Sequence, residues 1–238
     1  MMKNAARQAR RAGAPEPSCP LCRAETVFFL RRDRREYRQC PDCRLIFVPP
    51  RFFLPRDKEI ERYLQHENSL ENPGYVKMFQ DKIEIVKSVC PDVRKTLDYG
   101  CGYEPVLQTL LSRAGYEAEG YDVHFFPGDD LKPGYDLIIS TETFEHFKEP
   151  GREINRIVSL LSPRGFLAVM TRFYPEEGGR VSRESFQNWY YQRDPTHVAF
   201  YSPGTFAWVA KDRGLKIVFD NRKDFVILRR AADENSFF

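Results

Sequence analysis

The chain has 238 residues, 42% of them hydrophobic and 14% aromatic, enough to bury one sizeable α/β core with a small appendage. That composition excludes an intrinsically disordered chain, and no apolar run is long enough to span a bilayer. Net charge is only +3, but residues 1–56 carry 13 Lys/Arg against 5 Asp/Glu, so a basic N-terminal region precedes a mildly acidic remainder. Such a region could touch RNA or an acidic partner, or simply form a solvated arginine-rich surface. It lacks a signal-peptide hydrophobic stretch, which makes a cytoplasmic location the expectation.

Met1–Ser18 has no apolar period and is rich in Ala, Arg, Pro and Gly, which predicts a flexible basic tail. Cys19-Pro20-Leu21-Cys22 and Cys40-Pro41-Asp42-Cys43 follow as two Cys-x2-Cys knuckles. Two residues between thiolates let both sulfurs of a knuckle reach one tetrahedral ion. Cys19, Cys22, Cys40 and Cys43 are therefore read as a structural Zn²⁺ site, a zinc ribbon with hairpin arms at Glu25–Leu30 and Glu36–Gln39. Two disulfides are the rival reading, but nothing suggests secretion, and Cys90 and Cys101 stand in unrelated places. Four sulfurs leave no open coordination position, so this ion is assigned to folding and docking rather than catalysis.

Leu45–Pro55 reads as an apolar, proline-punctuated connector, and Asp57–Gln65 and Tyr75–Val89 as helices. Thr96–Tyr99 is strand-like and ends in Asp98-Tyr99-Gly100-Cys101-Gly102, after which Glu104-Pro105 opens the helical period of Val106, Leu107, Leu110 and Leu111. Glycine at 100 and 102 permits a sharp turn and the close approach of a ligand. Asp122, in Gly120-Tyr121-Asp122-Val123, falls 22 residues after Gly100, where an acid closing a second strand can accept both hydroxyl protons of a ribose. This pattern fits an adenosine-containing cofactor. Pro105 stands where a dinucleotide fingerprint needs its third glycine, and no Gly-Lys-Ser/Thr marks a P-loop.

Asp98-x-Gly100-x-Gly102 resembles motif I of the class I S-adenosylmethionine-dependent methyltransferases, with Glu104 where that family usually has another glycine. A second resemblance lies in Tyr135–Phe147, where the family's fourth strand runs into a Glu-x-x-Glu-His turn, matched here by Glu142, Glu145 and His146. The resemblance covers roughly residues 75–230. It implies that Asp98, Tyr99, Gly100, Cys101, Gly102, Tyr121, Asp122, Val123, Thr141 and Glu142 bind the cofactor. It also makes Tyr63, His66 and Tyr75, on the leading helices, candidates to cap the pocket.

Alternating strands (Leu97–Tyr99, Ala118–Tyr121, Asp136–Ser140, Phe166–Thr171) and helices (Pro105–Ala114, Gly151–Leu161, Pro203–Arg213) predict a doubly wound, largely parallel, Rossmann-like sheet. Leu215–Asp220 and Phe225–Leu228 close it as a hairpin, which resembles the family's antiparallel final strand. Only thirteen residues separate Asp122 from Asp136, too few for the family's usual helix, third strand and acidic adenine loop, so a trimmed variant is expected. Asp129 or Asp130 could stand in for that loop. The chain is thus divided into a tail over 1–18, a zinc ribbon and connector over 19–56, and a class I methyltransferase domain over 57–238.

The segment Phe186–Tyr201, with Asp194-Pro195-Thr196-His197, occupies the usual place of a substrate lid. It resembles the Asp-Pro-x-His segment of small-molecule methyltransferases that also carry an N-terminal zinc ribbon. Proton removal from an acceptor needs a base, so His197 and then His146 are the candidate catalytic residues. Ser140-Thr141-Glu142-Thr143 is unlike the Asn/Asp-Pro-Pro-Tyr of amine methylases, and no cysteine lies beyond Cys101 for cytosine C5 chemistry. The expected function is O- or C-methylation of a small molecule, with S-adenosylmethionine as cofactor. Two alternatives stand beside it: a zinc-ribbon RNA methyltransferase, and a non-catalytic cofactor-binding or scaffold protein.

Overall fold

The computed structural model describes residues 16–65, 69–128 and 131–231. The first fifteen residues of the expected tail, His66, and the pair Asp129 and Asp130 lie outside the described residues.

Two sheets organise the chain. The smaller has β1 (Val27–Arg32), β2 (Arg35–Gln39), β3 (Ile46–Phe47) and, from far along the sequence, β8 (Ala199–Phe200), in the order β1-β2-β3-β8. All its pairings are antiparallel, with Ile46 opposite Phe200 and Phe47 opposite Ala199. The larger has six strands: β4 (Lys95–Tyr99), β5 (Glu117–Tyr121), β6 (Tyr135–Thr141), β7 (Leu161–Met170), β9 (Leu215–Asp220) and β10 (Phe225–Arg230). Its order is β5-β4-β6-β7-β10-β9, with β4, β5, β6 and β7 parallel and β10 antiparallel to both neighbours. The sheet is doubly wound and Rossmann-like as the alternation predicts, and β5 and β9 are its edges. No strand is inserted between Asp122 and β6 among the described residues, the trimming that the short spacing implies.

Among the described residues six α-helices cover these sheets: α1 (Arg56–Tyr63), α2 (Pro73–Val89), α3 (Val106–Arg113), α4 (Pro150–Leu160), α5 (Arg183–Asn188) and α6 (Pro203–Asp212). Helix α2 starts where Asn72 Oδ1 accepts the Tyr75 N–H at 3.2 Å and Pro73 fills the first turn. Its buried stripe, Phe79, Ile83 and Val86, packs with Leu107, Leu110 and Leu111 of α3 on one face of the large sheet. Ile154 and Ile157 of α4 and Phe206 and Val209 of α6 cover the other face. Central strands buried on both faces need continuous apolar runs, which Leu137–Ile139 supplies. Leu137 and Ile139 point to the α2/α3 side, and Ile138 to the α4/α6 side.

Cys19, Cys40 and Cys43, with Leu45 and Phe47, belong to the same buried cluster as α4 and α6. Gly151, in the first turn of α4, explains the closeness of this join. A Cβ there would sit 2.5 Å from the Leu21 carbonyl oxygen. Among the described residues no helix is long and apolar enough to cross a membrane.

Candidate active site

The carboxyl ends of β4, β5 and β6 open into a cavity of about 1000 Å³, roofed by α1 and α2. Ligands of open α/β sheets bind at this end. Asp98, Tyr99, Gly100, Cys101, Gly102, Tyr121, Asp122, Val123, Thr141, Glu142, Tyr75, Tyr63, His146 and His197 all line it. The structure thus brings together every described residue that the sequence nominates for cofactor or catalysis.

The glycine loop is shaped by two different demands. Gly100 has φ +94°, and a Cβ there would lie 2.2 Å from Thr143 Oγ1. Gly102 has φ +70°, but a Cβ on it would meet no described atom within 4 Å, because it would project into open space. The loop is tied to β5 by hydrogen bonds from the Gly100 and Cys101 amides to the Tyr121 carbonyl, at 2.7 and 3.1 Å. Asp122 binds the loop from the other side: its Oδ2 accepts the Gly102 N–H at 3.2 Å, and its Oδ1 those of His124 and Phe125 at 2.8 and 3.1 Å. Asp98 is buried beneath the loop; its Oδ2 accepts the Gln108 N–H at 3.2 Å and its Oδ1 has no partner among the described residues. Burial pushes its carboxyl up to about 7.

The far end of the cavity is built by the Thr141–His146 turn and the segment before β8. Glu142 takes φ +49°, a conformation that costs a non-glycine residue energy and that clusters at functional sites. Tyr191 donates its hydroxyl to Glu145 Oε1 and lies 3.1 Å from Glu142 Oε2. Glu145 is fully buried, and its Oε2 is unpartnered among the described residues. Burial raises Glu145 to about 7, and the cavity walls together with the Glu145 charge raise Glu142 to about 8.

His146 and His197 meet with ring centroids 4.9 Å apart at an interplanar angle of 72°. The Nδ1 of His146 faces the Thr196 carbonyl at 3.2 Å and that of His197 the Tyr191 carbonyl at 2.7 Å, so each donates its Nδ1–H and keeps Nε2 as an acceptor. Burial lowers both imidazoles, His197 to about 3 with His146 adding to the effect, so both are neutral near pH 7.

The His197 segment is held from outside. Arg62 of α1 pairs with Asp194 Oδ2 at 2.8 Å, while the Thr196 amide and hydroxyl donate to Asp194 Oδ1 at 2.9 and 2.5 Å. Burial opposes ionisation of Asp194, but these Thr196 hydrogen bonds and Arg62 hold its carboxyl well below the usual range. Arg35 of β2 reaches across to the Asp194 carbonyl at 2.9 Å and to that of His197. Tyr63 of α1 packs edge-on against His146 at 5.1 Å. Glu145 and Asp194 lie inside the two sequence motifs without a chemical role of their own there, and Tyr191, a candidate to stack on a substrate or fill core, instead binds Glu145 through its hydroxyl.

The four ribbon cysteines converge elsewhere, with their sulfurs within 4.8 Å of one another. Cys19 and Cys43 Sγ are 3.5 Å apart, and Cys22 and Cys40 Sγ 3.4 Å. Disulfides have sulfurs about 2 Å apart, whereas a tetrahedral ion with bonds of about 2.3 Å holds its sulfurs slightly under 4 Å apart. The cluster therefore fits one closed tetrahedral ion.

The sequence matches the family described as "Methyltransferase domain" over residues 58–219. An O-methyltransferase family protein from Burkholderia thailandensis superposes with a TM-score of 0.52 at 17% identity, over 73% of this chain and 63% of that one. This chain thus spans less than two thirds of that protein's length. The magnesium protoporphyrin IX methyltransferase of Synechocystis PCC 6803, solved with S-adenosylhomocysteine, gives 0.49 at 16% identity over 76% and 97% of the two chains. At such identities structural likeness shows the fold alone, and no curated protein matches the sequence. The family match, however, takes in most of the chain, including the glycine loop, both acids and the two histidines, and by it the chain belongs to the S-adenosylmethionine-dependent methyltransferases.

Proposed function

We propose that the chain transfers a methyl group to an oxygen or carbon of a small molecule, and that Cys19, Cys22, Cys40 and Cys43 hold a structural Zn²⁺. One observation carries the first reading: a single cavity joins the Asp98–Gly102 loop to the His146–His197 pair. Bound S-adenosylmethionine supplies an electrophilic methyl on a sulfonium. Gly100–Gly102 form the cradle for it, with the unfilled space over Gly102 as the place of closest approach. The free carboxylate lone pairs of Asp122 take the ribose hydroxyls, while the three amides that Asp122 already binds keep it in position. Asp98, Asp122 and Glu142 line the cavity, and a cationic sulfonium bound beside them favours their ionised forms.

The acceptor occupies the end bounded by Glu142, His146, Tyr191 and His197. There the Nε2 lone pairs of His197 and His146 receive the acceptor's hydrogen, which aims the nucleophile in line with the methyl. Four arginines of the basic N-terminal region are bound within the protein, two of them buried or part-buried, which favours a small-molecule acceptor over RNA. Arg31, Arg38 and Arg51 converge on Glu36, and Arg35 turns inward to backbone carbonyls. Four free thiols gathered for a metal also favour a reducing compartment, and we place the protein in the cytoplasm.

The test is formation of S-adenosylhomocysteine from labelled S-adenosylmethionine across small hydroxyl, phenol and carbon-acid acceptors. Turnover with at least one class, abolished by His197→Asn, is expected. Tight cofactor binding with no turnover on any class would replace this reading with the non-catalytic one.

A further inference from the structure

We infer that Glu145, His146 and His197 form a second metal site, inside the cavity, for one divalent transition-metal ion. One donor atom from each of the three lies within 4.8 Å of the others. The hydrogen-bond network selects which atoms these are. Both Nδ1–H groups are committed to backbone carbonyls, the arrangement that fixes the tautomer of a metal-binding histidine and leaves Nε2 to the metal. His146 Nε2 is 4.0 Å from Glu145 Oε1, and Glu145 Oε2 is a buried oxygen without a partner among the described residues. Two ring lone pairs and a buried carboxylate therefore converge; the Tyr191 hydroxyl satisfies Glu145 Oε1, and Oε2 has no donor among the described residues. A cation is what this electron-rich corner lacks.

The dimensions allow it. An ion bound at about 2.1 Å places neighbouring donors roughly 3.0–3.5 Å apart, so small side-chain rotations close the set. Two imidazole nitrogens with one carboxylate suit zinc, iron(II), cobalt(II) or manganese(II) better than magnesium or calcium, which prefer all-oxygen ligation. Three protein ligands leave coordination positions open, unlike the closed four-sulfur ribbon. Those positions face the cavity at its acceptor end, where an oxygen of the acceptor completes the shell; with the ion bound, it holds the acceptor in place of the two Nε2 lone pairs. The identity of that last ligand rests on the methyl-transfer reading; the metal site itself does not.

The experiment titrates cobalt(II) into the full chain with its ribbon already loaded with zinc, followed by calorimetry and visible absorption. One cobalt per chain beyond the ribbon is expected, without the thiolate-to-metal charge-transfer band that a four-cysteine site would give. Glu145→Gln and His146→Asn are each expected to weaken it at least tenfold. In His146→Asn the amide N–H can still reach the Thr196 carbonyl, so the fold is kept, as unchanged ribbon zinc and melting temperature will show. No uptake beyond the ribbon, or uptake unchanged in both variants, overturns the inference. Cobalt uptake by a protein that fails to bind S-adenosylhomocysteine upholds the metal site and overturns the methyl-transfer reading; cofactor binding without cobalt uptake does the reverse.

Discussion

Alanine at Gly100 and alanine at Gly102 should fail in opposite ways. At Gly100 the new Cβ would meet Thr143 Oγ1 at 2.2 Å and Cγ2 at 2.4 Å, with φ at +94°. Left-handed backbone costs an L-residue about 1–2 kcal/mol, and overpacking adds about 1–3 kcal/mol. The sum, about 2–5 kcal/mol, is a large part of the 5–15 kcal/mol that holds a typical domain. For a chain of this length it corresponds to a fall in melting temperature of roughly 4–20 °C. At Gly102 the backbone cost is similar in kind, with φ +70°, but the Cβ meets no described atom. That variant should lose only about 1–2 kcal/mol of stability. Its methyl projects into the space reserved for the cofactor, so affinity for S-adenosylhomocysteine should fall at least a hundredfold, about 3 kcal/mol. Thermal unfolding read by circular dichroism, beside calorimetric titration of both variants, separates the two. A Gly102→Ala protein that binds as tightly as the parent would refute the assignment of the loop. A Gly100→Ala protein that melts with the parent would refute the Thr143 contact.

Asp98→Asn should alter how the ligand-free protein responds to pH. The fold raises this carboxyl from 3.8 to about 7, so its protonated form is favoured in the folded state. The resulting stability is complete below pH 4 and is lost as pH rises towards 7, up to about 4 kcal/mol. Asparagine removes that loss, and the variant should melt above the parent at pH 8 and level with it at pH 4; the same pH dependence in both proteins would refute the assignment. Stripping the ribbon metal with a chelator, or substituting Cys40→Ser, should lower the melting of the whole protein in a single transition. Cys40 shares a buried cluster with α4 and α6, and β3 is paired to β8, so a separate low-temperature step would contradict this coupling. Tyr191→Phe removes the hydroxyl that binds buried Glu145 Oε1 and should cost about 2 kcal/mol, measured by denaturant unfolding. A loss below a few tenths of a kcal/mol would mean that Glu145 does not depend on this bond.

Motifs that are local in the chain are legible in the sequence itself. The knuckles at Cys19–Cys22 and Cys40–Cys43, the loop at Asp98–Gly102 and the acid at Asp122 each carry their meaning in a fixed short spacing. The helical stripes of α2 and α3 follow from periodicity, because burying one face forces the apolar residues to recur. What escaped was non-local. Strand β8 has two residues and no period, and only its pairing to Ile46 and Phe47 makes it a strand. The bond from Tyr191 to Glu145 joins residues 46 apart, and that from Arg62 to Asp194 spans 132. No spacing rule links such pairs; the packing of α1 over the cavity does. The positive φ at Glu142 is equally hidden, since the strain is imposed by the turn around it rather than by its side chain.

Calorimetric titration of the zinc-loaded protein with S-adenosylhomocysteine, beside Asp122→Ala and Asp122→Asn, tests the central claim most directly. The parent should bind in the micromolar range or tighter, about −8 kcal/mol or better. Both variants should lose about a hundredfold, because two hydrogen bonds to a charged carboxylate are worth about 3 kcal/mol or more together. Asparagine can keep the His124 and Phe125 amides on its oxygen but sets an N–H against the Gly102 amide, so an unchanged melting temperature is needed for its loss of affinity to report on the ribose rather than on a collapsed loop. A folded parent that does not bind, or variants that bind as well as the parent, would contradict the assignment of this cavity to the cofactor.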